Sequence, residues 1–197
     1  MKKIALAICT ILILSAFTFI HVDTYKANIK TSQLVWRAEK LNAKHFGNVK
    51  LENGELKINC DGRLVDANFT IDMRSITNLD IESKQYNAML VDDLKSSRFF
   101  DVDKYPEAIF KLIRSTPLEN NKFNILGQLN IKGIIGPANI PIDLEYKDNG
   151  NIIASGVCSF DRTKFGLVYG SDSFFDKLGD DAIANIVSLE FEIVLEK

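Results

Sequence analysis

The sequence predicts an all-β domain, an antiparallel barrel of about eight strands with one amphipathic helix over one opening. Three observations carry this. Apolar and polar residues alternate with period two through most of the chain, as in Phe69, Ile71 and Met73 against Thr70, Asp72 and Arg74, the mark of strands with one dry and one wet face. The period changes only once, between Ile81 and Leu94, where Tyr86, Met89, Leu90 and Leu94 recur at spacings of three and four and predict an amphipathic helix. The loop from Ser96 to Pro106 then carries Phe99, Phe100 and Tyr105 where solvated connections usually carry Ser, Gly and Asn, so its rings are expected to bury against the fold.

In chain order, Lys2 and Lys3 precede an apolar run from Ile4 to Ile20, the layout of a secretory leader. Residues 1–22 are therefore read as a signal peptide or an uncleaved N-terminal anchor, and residues 23–197 as one exported domain, periplasmic or secreted. An anchor would hold it at the inner membrane. Loss of the two leader lysines leaves 22 basic against 26 acidic residues, a net charge near −4 that argues against nucleic-acid binding. Of the cysteines beyond the leader, Cys60 and Cys158 are expected on strands as buried free thiols, since nothing in the sequence brings their Cα atoms within bridging distance.

Tyr25 to Ala38 is expected to be the first strand, with Leu34, Trp36 and Ala38 on one face. Val49 and Leu51 alternate up to Asn53-Gly54, which reads as a hairpin turn, and Leu56 to Cys60 returns. Asp61-Gly62 is a second tight turn before the long strand from Leu64 to Arg74. After the helix and the aromatic loop, Ala108, Phe110 and Leu112 form a strand. Phe123, Ile125, Gly127, Leu129 and Ile131 share the face of the next. Gly133 to Pro137 is expected to turn the chain, and Ile140, Ile142, Leu144 and Tyr146 to answer. Beyond Asp148-Asn149-Gly150 come Ile152, Ala154, Gly156, Cys158 and Phe160, whose small members suit a tapered wall or one that leaves space inside. Leu189, Phe191, Ile193 and Leu195 close the chain. So many antiparallel strands on short turns favour closure over exposed edges. Such a barrel holds either packed side chains or one small ligand, and periodicity does not choose between them.

Catalytic chemistry is sparse. Only His21 and His45 exist, too few for a His-rich metal site, and a Ser-His-Asp triad has almost nothing to work with. His45, beside Gly47, reads as a surface or turn residue. Neither a catalytic residue, a metal ligand nor a cofactor is expected. Arg162 lies at a strand end among aromatics, where its donors need an internal acid, a carbonyl or a ligand head group.

The chain resembles the YceI-like family of polyisoprenoid-binding, lipocalin-like barrels. The resemblance rests on Phe69 to Ile76, on Leu94 with Ser96 to Pro106, on Phe110, on Gly127 to Gly133 leading to Pro137, and on Asp161 to Gly166. Where many members have Gly-Val-Thr-Lys-Pro, this chain has Gly133-Ile134-Ile135-Gly136-Pro137. The resemblance implies a lipocalin-like barrel around an apolar tunnel that takes a long-chain lipid such as a polyisoprenoid, an isoprenoid quinone or a fatty-acid-like molecule. The expected ligand contacts are Trp36, Phe69, Ile71, Met73, Phe99, Phe100, Phe110, Leu129, Ile131, Phe160, Arg162 and Phe165. The tail is expected inside and the polar end beside Arg162 and the 96–106 loop. A cofactor-free enzyme acting on such a lipid, and a filled-core structural or partner-binding barrel, are the alternatives. Transient membrane contact and a homodimer remain open as partners.

Overall fold

A computed structural model of the chain describes residues 21–40 and 42–197, with residue 180 in its backbone only. The predicted leader, residues 1–22 with Cys9, lies outside the described residues except for His21 and Val22, and Val22 is already the first paired residue of the sheet. Ten strands form one antiparallel sheet: β1 (Val22–Ala27), β2 (Gln33–Lys40), β3 (Ala43–Asn48), β4 (Lys50–Asn59), β5 (Leu64–Asp72), β6 (Glu107–Pro117), β7 (Lys122–Ile131), β8 (Ile134–Tyr146), β9 (Ile152–Asp161) and β10 (Ile186–Glu196).

Ten strands make eight staves, because β1 and β2 lie end to end along the same edge of β10. Lys26 and Ala27 face Glu196 and Leu195, and Gln33 to Arg37 face Glu192 to Ser188. β3 and β4 likewise run end to end along β2 and β1. The first predicted strand is thus one stave with an interruption at residues 28–32, stitched by Asn28 N–H to Val194 O and by Val194 N–H to the Ser32 hydroxyl. The β10–β1 pairing closes the barrel.

One expected turn is absent and another is shorter than expected. Asn53-Gly54 lies inside β4, at a register shift between Leu51 and Asn53. The extra residue switches the inward phase from Val49 and Leu51 to Leu56 and Ile58, as a β-bulge does. Gly133 to Pro137 shrinks to Lys132-Gly133, both with positive φ, so the two-residue hairpin turn lies one step earlier and Pro137 belongs to β8. The helix is Lys84–Lys95, α1, rather than 81–94. Asn87, Leu90, Val91 and Leu94 face inward, while Tyr86 and Met89, assigned to the apolar stripe, are 64% and 57% exposed.

One end, called upper here, carries α1, the 96–106 loop and the 162–185 segment. The lower half is filled by aliphatic side chains such as Leu56, Ile125, Ile142, Ile152 and Leu195. Gly156, expected to leave room, does not: a Cβ there would lie 2.7 Å from Pro141 O and 2.9 Å from the ring of Phe191, its cross-strand partner. Gly127 similarly yields its Cβ space to the ring of Phe110. These glycines are small because an aromatic occupies their place.

β8 and β9 pair only from Ile142↔Gly156 to Tyr146↔Ile152. Above that point the two strands part, and the Phe165 ring packs over Gly136 in the gap, edge-on to Phe160 with centroids 5.5 Å apart. Cys60 and Cys158 are both free, but Cys60 is exposed in the turn that follows β4 rather than buried on a strand; only Cys158 is buried, and burial pushes its thiol up to about 11.

Replacing Gly156 by Phe should cost about 3 kcal/mol, at the upper end for an overpacked core. Urea denaturation checks this; stability within 0.5 kcal/mol of the parent would show free space at that wall.

Candidate functional site

The upper ends of the staves enclose an apolar cavity of about 220 Å³. The sequence explains why it lies there. Below, large aliphatics from all staves meet across the axis; above, the inward positions of β2, β5, β6, β7 and β9 are met by a cap of α1 and the aromatic loop instead of by one another. Ala38 and Ala108 leave space on the wall. Leu90 and Leu94 of α1 and Phe99 and Phe100 of the loop form the roof.

Ten expected contacts line this cavity: Trp36, Ile71, Met73, Phe99, Phe100, Phe110, Leu129, Ile131, Phe160 and Arg162. Two do not. Phe69 packs over Gly54 lower in the barrel, and Phe165 fills the gap between β8 and β9. Both rings occupy the space over a glycine, Phe69 across the strand pair at Gly54 and Phe165 from the turn after β9 at Gly136, relations that alternation along a single strand does not reveal.

The roof is held by side chain to backbone hydrogen bonds. The Lys132 ammonium donates to Ser97 O at 2.9 Å and to Phe99 O at 2.6 Å, fixing the aromatic loop to the β7–β8 turn. Phe99 meets Tyr169 edge to face at 5.4 Å, and Arg98 lies over the same Tyr169 ring at 4.9 Å. The loop and the 162–185 segment thus cover the mouth together.

Arg162 is 3% exposed. Its Nε donates to Ala184 O at 2.9 Å, Nη2 to Ile183 O at 2.8 Å, and Nη1 to Tyr169 O at 2.9 Å and to Leu167 O. Of the three partners open to it from sequence, carbonyls take four of the five donors. Among the described residues no carboxylate forms an ion pair with it. Burial lowers its pKa, while the fields of Asp161 and Asp172 act the other way. Asp161, which accepts from Thr163 N–H and Thr163 Oγ1, caps the turn that aims Arg162 inward, and those bonds hold its carboxyl below the usual range despite burial. The Asp-Arg-Thr-Lys-Phe-Gly stretch is therefore a clamp on its own following loop.

His45, expected at the surface or in a turn, lies in β3 opposite Ala38, and both line the cavity. Its Nδ1 lies 2.7 Å from Asp80 Oδ2, with side chains 26% and 17% exposed. Asp80 Oδ1 accepts from Phe46 N–H at 2.8 Å and from Asn78 Nδ2 at 2.5 Å. Asn87 of α1 reaches Asn78 O at 3.0 Å and Ile81 O at 3.1 Å. One polar chain thus joins β3, the 76–83 segment and α1 around the mouth. Burial alone would raise the Asp80 pKa, but the bonds from Phe46, His45 and Asn78 outweigh it and hold the carboxyl below its ordinary value. A sequence signal for this pair was absent, since 35 positions separate its members.

The model of the YceI-like domain matches residues 22–195. No curated protein sequence matches the chain. Among solved structures, BcnA of Burkholderia cenocepacia aligns with TM-score 0.69 at 24% identity, over 85% of this chain and 98% of its own. A polyisoprenoid binding domain from Saccharophagus degradans, implicated in plant cell wall breakdown, gives 0.62 at 14% identity over 87% and 97%. A YCEI protein of Campylobacter jejuni gives 0.55 at 16% over 100% and 94%. These likenesses concern the fold.

Two outcomes follow. Arg162→Lys should destabilise by about 3 kcal/mol, because an ammonium cannot serve four carbonyls in three directions; chemical denaturation, with faster hydrogen exchange confined to 167–184, checks it. Asp80 has a depressed folded pKa, so its contribution is present above the unfolded value of about 4 and is lost as pH falls through the folded value. The Tm gap between the parent and Asp80→Asn should shrink as pH falls below about 4; a gap unchanged down to about pH 3 would exclude the ion.

Proposed function

The chain belongs to the YceI-like family, and on that premise we propose that it binds the apolar chain of a lipid in the upper cavity, as an exported carrier. The observation that supports this is the division of the barrel, packed below and hollow above. The hollow is walled almost wholly by carbon, with polar residues of its lining confined to Glu39, Lys40, His45, Arg162 and Ser188. The leader pattern of Lys2, Lys3 and the following apolar run supports export.

The energetics set the orientation. Each Å² of apolar surface removed from water contributes roughly 25 cal/mol, whereas a charged or hydroxylated head loses hydration if it follows the tail inward. The tail takes the cavity and the head stays at the rim. Since an apolar cavity of about 150 Å³ takes one benzene, the 220 Å³ present here takes roughly ten carbons, about two isoprene units, with every side chain in place. A polyisoprenoid, an isoprenoid quinone or a long acyl chain has more than that. Its remainder lies along the mouth or displaces the roof of α1 and the aromatic loop, which rests on fewer layers than the lower core.

No part of this reading uses bond chemistry, and the arginine at the rim is engaged by carbonyls; a binding role is the simpler function for these side chains. Native mass spectrometry of the full chain isolated from its own cells should find a lipid mass released on denaturation. Ala108→Phe, which fills the cavity from its wall, should reduce the retained lipid more than tenfold while leaving the protein folded by far-ultraviolet circular dichroism. Unchanged lipid in the folded variant would overturn the cavity as the site.

A further inference from the structure

The chamber ends at a definite level. One inward step below its lowest lining residues come Phe69 on β5, Gly127 on β7, Gly156 on β9 and Phe191 on β10, none of which lines it. Three glycines fall at this level, and each has an aromatic ring where its own Cβ would stand. Phe69 lies over Gly54, its partner on β4, and Phe191 over Gly156, its partner on β9. Phe110, paired with Phe69 and with Leu129, reaches one step down to lie over Gly127.

Of these three rings, Phe110 alone belongs to both halves of the barrel. It lines the chamber, and its ring fills the Gly127 space at the level below. A ring so placed has no room to retreat. The glycine backbone is already against it on the wall side, and one further step down Leu56, Ile125, Ala154 and Ile193 are buried in the packed half. The roof is built differently, from a short helix and an irregular loop that Lys132 ties to the β7–β8 turn. A chain longer than the chamber therefore extends through the mouth and not through the floor.

We propose that Phe110, seated on Gly127, is the stop against which the tail ends, so that the protein reads a lipid by about the last ten carbons of its chain and is indifferent to length beyond them. This rests on the cavity being the site for the apolar tail. Covering strand glycines explains why the rings are stable where they are. Their level, at the boundary between the hollow and the filled halves, makes the one that lines the chamber a determinant of chain length.

Straight-chain primary alcohols from octanol to tetradecanol, titrated against the full chain, read the stop. Trp36 reports binding, since it lines the chamber and is the chain's one tryptophan. In the parent each methylene up to decanol should tighten binding about fourfold, the effect of one buried CH₂, and each one beyond it by less than about twofold. Phe110→Ala, which removes the ring beside a glycine, should carry the steep region on to about tetradecanol. In the parent, nuclear Overhauser contacts from the terminal methyl of decanol should reach the Phe110 ring, a readout that needs no variant to fold. A break that stays at decanol in folded Phe110→Ala, a parent slope that stays steep to tetradecanol, or a terminal methyl found beside Leu94 and Phe99 at the roof would each overturn the stop and leave the cavity as the lipid site. Failure of every alcohol to bind the parent would overturn the two together.

Discussion

The ring closure at β10 is the constraint on which everything else depends. A flat ten-stranded antiparallel sheet would expose two edges, and its inward side chains would have no facing layer. Here the last strand reaches back to the first residues of the domain, Lys26 and Ala27 at its lower end and β2 at its upper end. Because one strand serves two partners in succession, the stave it meets must be interrupted, and residues 28–32 provide the break. Closure gives the lower aliphatic residues their common core and fixes the diameter of the upper chamber.

Within that diameter, vacancy and filling are decided by aromatics and by what covers them. Cross-strand rings occupy the space over glycines such as Gly127 and Gly156, so the glycines do not open the wall. The open volume is left instead where the staves meet a roof of α1 and the aromatic loop. That roof is tied down by Lys132, by the Arg162 carbonyl clamp and by the chain from His45 through Asp80 and Asn78 to Asn87. The chamber is thus a property of the interface between two kinds of structure, a regular wall and an irregular cover.

Much of this was legible. Alternation at Phe69, Phe110, Leu129 and Phe160 located the staves and their inner faces, because a strand buried on one side records its partner in every second residue. The bulge in β4 was not legible: Asn53-Gly54 has the composition of a turn, and only the Phe69 ring across the strand and the later phase of Leu56 and Ile58 reveal that the chain runs on. Tyr86 and Met89 fit the helical spacing yet lie outside, since a short helix over an opening needs only a narrow apolar stripe, from Leu90 to Leu94. Arg162 stands out by its aromatic surroundings, but four carbonyl partners at four separate positions leave no local pattern. His45 with Asp80 was invisible for the same reason, being made by a strand and a segment 35 residues away.

The parting of β8 from β9 gives the barrel a circumference of uneven stiffness. Around most of the hoop neighbouring staves are locked by hydrogen bonds, whose strength falls steeply once distance and angle leave a narrow range. At the upper β8–β9 joint the lock is the ring of Phe165 resting on Gly136 and Phe160. Dispersion contact yields more gradually, giving up a quarter to a half of its depth over about half an ångström to one. The upper hoop therefore dilates at this joint before any ladder breaks.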